Sequence, residues 1–227
     1  MPISWHDDTI RWFRDSSAFT GYHRLLSYYL RPVVQGQPIL TDIGCGLGLI
    51  SLELAPLVEH VTCVDVSEKA LASLAEDADD KGISNITTLR GDASQLDLTA
   101  DVMLASYFGA SQVGQWLERC RRLICVTTWA HATHEHRKGT DAERLRSRLD
   151  EAGIRYQVEH VTLEFGQPCI DRRDAARYIA EYHPGDGTAQ RRANLLARLV
   201  DIDEPPFTCY LPKQRSMGVF VIEGGRR

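Results

Sequence analysis

The feature that most constrains this chain is the alternation, from about Gln37 onward, of short apolar runs with stretches of helical spacing. Ile39–Ile43, Val61–Val64, Ile86–Leu89, Val102–Ala105 and Leu123–Val126 are nearly all apolar rather than alternating. That pattern suits parallel strands covered on both faces. Between them, Leu47–Leu57 reads as a helix stopped near Pro56. Ser67 caps a second helix, in which Leu71, Leu74, Ala75 and Ala78 share a face and Lys81 and Gly82 mark the end. Helices between consecutive strands imply right-handed crossovers, hence an α/β fold with an open, doubly wound, mostly parallel sheet and helices on both faces.

Further along, Thr140 and Glu143 form a capping-box pattern ahead of a helix that carries Leu145 and Leu149 and stops near Gly153. A sixth strand is expected around Arg155–Phe165, and a last one at Gly218–Ile222. Residues 1–35 look helical and aromatic-rich, with Trp5, Trp12, Phe13, Phe19, Tyr22, Tyr28 and Tyr29. Residues 170–210 look like two helices broken at Pro184-Gly185-Asp186-Gly187, followed by a loop with Pro205-Pro206. A chain of 227 residues demands no second core. Residues 1–227 are therefore read as a single domain, with an N-terminal helical cap and a helical insertion before the last strand that together roof a substrate site.

The net charge of −5 provides no global attraction to nucleic acid, although Arg172, Arg173, Arg191 and Arg192 could form a local basic patch. No apolar run reaches the ~18 residues of a membrane span. The first residues lack the basic-then-apolar order of a secretory signal, so the cytoplasm is the expected location. Cys63 and Cys125 sit inside apolar runs, and no CxxC pair occurs. Reduced thiols acting as small hydrophobes are expected, not a disulfide framework or a zinc knuckle.

The chemistry concentrates at Asp42-Ile43-Gly44-Cys45-Gly46-Leu47-Gly48, between the first strand and its helix. Glycine is required where a backbone turns sharply or must touch a ligand, and ligands of open α/β sheets bind at the carboxyl ends of the strands. A dinucleotide fingerprint would need a third glycine at position 49, which is Leu49. Asp42 argues the same way, because a carboxylate repels a pyrophosphate and attracts an ammonium group. Asp65 ends the second strand, where an acid can accept hydrogen bonds from both hydroxyls of a ribose. A third acid follows the third strand at Gly91-Asp92-Ala93 and can accept from an exocyclic amine.

This ordered set resembles the class I (Rossmann-like) methyltransferases that use S-adenosylmethionine (SAM), over about residues 37–130. The resemblance implies that Asp42, Gly44, Cys45, Gly46 and Gly48 line the methionine and ribose parts of SAM. It implies that Asp65 and Val66 hold the ribose, and that Asp92 and Ala93 meet the adenine. It also implies a seven-stranded sheet whose last strand is antiparallel. Asp101–Phe108 resembles the fourth strand and the loop that faces the methyl group, with Ser106 at the cofactor. Ala105-Ser106-Tyr107-Phe108 stands where many amino-methylating enzymes carry Asn-Pro-Pro-Tyr, which argues against methylation of adenine or glutamine amides.

A hydroxyl or acidic C–H acceptor needs a base, whereas a thiolate or neutral amine does not. The polar candidates for a base are His23 and the cluster of His131, His134 and His136, whose spacing fits no metal motif, while Tyr107 is a candidate to support the sulfonium through its ring face. A small-molecule acceptor is expected, with no nucleic acid, metal or membrane partner, and a homodimer is compatible with the chain. Methylation of RNA or protein and a non-catalytic SAM-binding module are the alternatives.

Overall fold

The computed structural model describes residues 4–108, 112–129, 141–182 and 189–226. The chain divides into two compact units, one of residues 23–162 and 216–227, the other of residues 1–22 and 163–215.

The larger unit is built on a seven-stranded sheet. Its strands are β1 (Ile39–Ile43), β2 (His60–Asp65), β3 (Ile86–Arg90), β4 (Ala100–Ser106), β5 (Cys120–Thr128), β6 (Tyr156–Glu164) and β10 (Gln214–Glu223), in the order β3-β2-β1-β4-β5-β10-β6. β1 runs parallel to β2 and β4, β2 to β3 and β4 to β5, while β10 is antiparallel to β5 with Val219 opposite Val126. The seven-stranded sheet with its antiparallel last strand is therefore present. β6 and β10 pass into the smaller unit at Leu163 and Arg215.

Helices α2 (Tyr22–Val34), α3 (Leu49–Leu54), α4 (Glu68–Asp80), α5 (Gly114–Leu117) and α6 (Asp141–Glu151) connect or flank these strands. The Ser67 hydroxyl accepts the Ala70 N–H at 3.2 Å and caps α4, as its position in the sequence suggested. Leu26, Leu30 and Val34 of α2 are buried at helical spacing. The core beneath the sheet's carboxyl ends joins Ile43, Val64, Met103, Leu123 and Phe220 to Leu145 and Leu149 of α6. The first helix is shorter than its pattern suggested, because the Pro56 stretch closes it as a 3₁₀ turn at Ala55–Leu57.

The smaller unit contains α1 (Asp7–Thr20), β7 (Gln167–Cys169), α7 (Arg172–Tyr182), α8 (Ala189–Leu196), β8 (Val200–Glu204) and β9 (Phe207–Leu211). The two expected helices are there, but the expected loop around Pro205-Pro206 is a turn between two antiparallel strands, completing a three-stranded sheet β7-β9-β8. The prolines mask this in the sequence, since both lie at the turn and remove no interior ladder donor. The unit is held partly by polar contacts. Asp174, almost fully buried, accepts from Arg11 Nη2 at 2.6 Å and from Trp12 Nε1 at 3.1 Å, while Ser16 donates to Gln167 Oε1 at 2.7 Å. Burial alone would raise the Asp174 carboxyl, but the Arg11 and Trp12 hydrogen bonds bring it below its ordinary range.

Candidate active site

The sheet order reverses between β1 and β4, so a crevice opens where their carboxyl ends diverge. The glycine turn leaves β1 at that point. Gly44 and Cys45 both donate their N–H to the Val64 carbonyl, at 2.8 and 3.0 Å. Gly44, Gly46 and Gly48 all have positive φ, which side-chain-bearing residues seldom adopt. At Gly44 a Cβ would also collide with the Phe108 ring.

The acids are organised around this turn. Asp65 Oδ2 accepts the Gly46 N–H at 2.9 Å, and Oδ1 accepts the Ser67 N–H at 2.8 Å. Each oxygen retains acceptor capacity for an outside donor. Asp92 is exposed, and its Oδ1 accepts the Ser94 N–H at 2.9 Å and the Ser94 hydroxyl at 2.7 Å. Those two bonds lower its pKa. Asp42 is buried below the turn, where the Ser51 hydroxyl donates to Oδ2 at 2.6 Å. Its Oδ1 has no hydrogen-bond partner among the described residues. Burial pushes Asp42 up to about 7, with Asp65 adding to the rise and Ser51 opposing it. The Cys45 thiol meets that of Cys63, and this contact together with burial raises its pKa.

A hollow of about 390 Å³ is lined by Gly44, Asp65, Val66, Asp92 and Ala93, together with Val64, Gly91, Ser94, Phe108 and Gln112. Five of the sequence-predicted residues thus share one cavity. Asp42, Cys45, Gly46 and Gly48 form the turn and its underside rather than the lining, and Ser106 ends β4 outside the lining. Ser94 and Phe108 had readable signals, an Asp-x-Ser turn and a place just after β4, whereas Gln112 had none. Tyr107 has φ 55°, and its hydroxyl donates to Met217 Sδ at 3.6 Å. His23 is buried on α2 and does not line the hollow. His131, His134 and His136 lie outside the described residues, as does Thr140. Among the described residues, no group of histidines, cysteines and acids is arranged to hold a metal ion.

Residues 40–125 match the family model described as a methyltransferase domain. An uncharacterized RNA methyltransferase of Staphylococcus epidermidis is 29% identical over 99 residues, which is 43% of this chain and 21% of that protein. The chain thus spans about a fifth of the length of the curated relatives it matches. Among solved structures, a candidate methyltransferase from Bacillus halodurans superposes with a TM-score of 0.55 at 15% identity, covering 85% of this chain and 95% of that one. A precorrin-6y C5,15-methyltransferase from Geobacter metallireducens superposes with a TM-score of 0.52 at 10% identity, covering 85% of each chain. At these identities the likeness is one of fold.

Proposed function

We propose that the chain is a class I, Rossmann-like methyltransferase that transfers a methyl group from SAM to a small-molecule acceptor. One observation carries the reading: Gly44 of the turn after β1, the acid that ends β2 and the acid that follows β3 line one hollow. Its size falls within the range of small-molecule sites.

The residues fit such a ligand. The Asp42 Oδ1 atom is buried without a hydrogen-bond partner among the described residues, an expensive state that an ammonium-bearing ligand above the turn would relieve electrostatically. Asp65, fixed by two backbone N–H groups, accepts the two ribose hydroxyls. Asp92, fixed by Ser94, accepts the adenine amine with its second oxygen, and Ala93 lies beside it. The glycine turn lets main chain approach where a side chain could not. When bound, SAM supplies an electrophilic methyl group on sulfur. The protein's own share is then chiefly alignment of an in-line displacement. Tyr107, at the end of β4, can support a sulfonium through its ring face by about 0.5–2 kcal/mol. His23 and His131 are the other candidate groups for an acceptor that must lose a proton. The acidic balance favours a small acceptor, and the reaction is set in the cytoplasm, where the free thiols of all six cysteines would persist. Among the described residues, no helix is long and apolar enough to cross a membrane.

Calorimetric titration with S-adenosylhomocysteine, followed by incubation of methyl-labelled SAM with separated small-molecule and RNA fractions of a cell extract, tests the reading. Binding with label in a small molecule is expected. No binding would overturn it. Label in RNA would favour the second reading, which the name of the staphylococcal relative supports. Binding with no label in either fraction would indicate a non-catalytic module.

A further inference from the structure

Two cysteines of the smaller unit, far apart in the sequence, are brought together by its sheet. Cys169 of β7 stands directly opposite Cys209 of β9 in the antiparallel register. Residues opposite one another across a strand pair point to the same face of the sheet. Both cysteines are accordingly buried, and they share one apolar cluster with Ala175 of α7, against which Leu199 packs. Both are free thiols, and the proposed methyl transfer uses neither.

Opposite partners in an antiparallel pair have Cα atoms roughly 4.5–5.5 Å apart. Disulfides span Cα separations of roughly 4.4–6.8 Å. The register therefore already supplies the backbone spacing that a disulfide needs. Burial pushes the Cys169 thiol up to about 12, with the neighbouring Cys209 sulfur adding to the rise, and burial raises Cys209 as well. Both are thus protonated at neutral pH, and a protonated thiol is a poor nucleophile. While the strands are closed the pair stays reduced. The closure is weak at one place, however. β7 has three residues, its middle one is Pro168, and it lies at the edge of the sheet with β9 as its neighbour. A short strand held along one side opens locally more readily than the rest of a sheet.

We propose that Cys169 and Cys209 are an oxidation site, a thiol pair that a peroxide converts into a cross-strand disulfide stapling β7 to β9. When β7 opens, one sulfur attacks a peroxide oxygen as its thiolate, and the O–O bond breaks to give a sulfenic acid. The other sulfur then attacks the oxidised one, the S–O bond breaks and the S–S bond forms. Two thiols are oxidised and one hydrogen peroxide is reduced, with two waters released. The disulfide closes α7, α8 and β8 into a covalent loop, which restricts the unfolded chain and stabilises the smaller unit. The site does not rest on the methyl-transfer reading.

Hydrogen peroxide is the probe, applied to the full chain in the absence of reductant. Digestion and mass spectrometry should then find the peptides holding Cys169 and Cys209 joined, two hydrogens lighter than their sum. The melting temperature should rise by at least about 4 °C, and dithiothreitol should reverse the rise. In Cys209→Ala the same treatment should give no rise relative to the untreated variant, a comparison that does not depend on how stable the variant is to begin with. Cys169 joined to a different cysteine, oxidation of either thiol to a sulfinic acid without a crosslink, a crosslink that leaves melting unchanged, or an equal rise in Cys209→Ala would each overturn the proposal.

Discussion

The Gly46 N–H donates to Asp65 Oδ2 at 2.9 Å, so the middle of the glycine turn and the acid ending β2 form one hydrogen-bonded unit. Two parts of the proposed cofactor site, read separately in the sequence, are therefore mechanically coupled. Asp65→Ala should remove the ribose acceptor and strip Gly46 and Ser67 of their partner together. Hydrogen bonds to a charged acceptor contribute about 1.5–3 kcal/mol. Calorimetry should therefore show S-adenosylhomocysteine binding weakened about 10- to 100-fold, with a milder loss in Asp65→Asn. Wild-type affinity in the alanine variant would contradict the assignment.

Gly44 faces Phe108 across the point where the sheet order reverses, and this contact predicts a double-mutant result. Gly44→Ala meets two penalties, a left-handed backbone worth about 1–2 kcal/mol and a clash with the Phe108 ring worth about 1–3 kcal/mol. Adding Phe108→Ala should relieve the second and leave the first. In urea unfolding, the double variant should be less destabilised than the sum of the two singles. Simple additivity would mean that the ring moves aside freely.

How much of this was readable follows from what each residue answers to. Leu40–Ile43 and Val102–Ala105 are buried on both sides, so composition alone identified their runs as inner parallel strands. The positions of Asp65 and Asp92 followed because one acid ends its strand and the other comes two residues after its strand. Phe207–Leu211 was missed as a strand because its pairing with β7 and β8 is non-local and its turn is made of two prolines. The lining by Gln112 depends on the path of the chain after β4, which no local pattern encodes. Nor did any sequence period announce the bond between Arg11 and Asp174, whose partners lie far apart along the chain.

That bond bears on stability in the smaller unit. The Asp174 side chain is 6% exposed and that of Arg11 30%. Removing one partner of a buried pair costs about 3–5 kcal/mol, and the exposure of Arg11 puts Asp174→Ala at the lower end. The sign with pH follows from the lowered carboxyl pKa. The stabilisation is present above the unfolded-state value near 3.8 and is lost as pH falls through the folded value. Denaturant unfolding at neutral pH should therefore show a large loss in Asp174→Ala, and the gap to wild type should narrow under strong acid. A gap that stayed constant would assign the cost to packing around Trp12 instead.

Asp42 has the opposite sign. Burial raises it from 3.8 to about 7. The unfolded chain thus releases this proton at lower pH than the folded one, and the native state is progressively disfavoured as pH rises from about 4 to 7. About three pH units at about 1.4 kcal/mol each set an upper bound of about 4 kcal/mol on the effect. Asp42→Asn keeps an acceptor for the Ser51 hydroxyl and has no proton to lose. Thermal unfolding across pH 4 to 8 should show the variant and wild type closest at the acid end, with the variant more stable at the alkaline end. S-adenosylhomocysteine should nevertheless bind the variant more weakly, because the carboxylate that costs the empty protein stability is the group that attracts the ligand's ammonium. Such a trade of stability against affinity separates a ligand-directed acid from one that only buttresses the turn. If the variant is less stable at pH 8 and binds normally, the buttress account is correct.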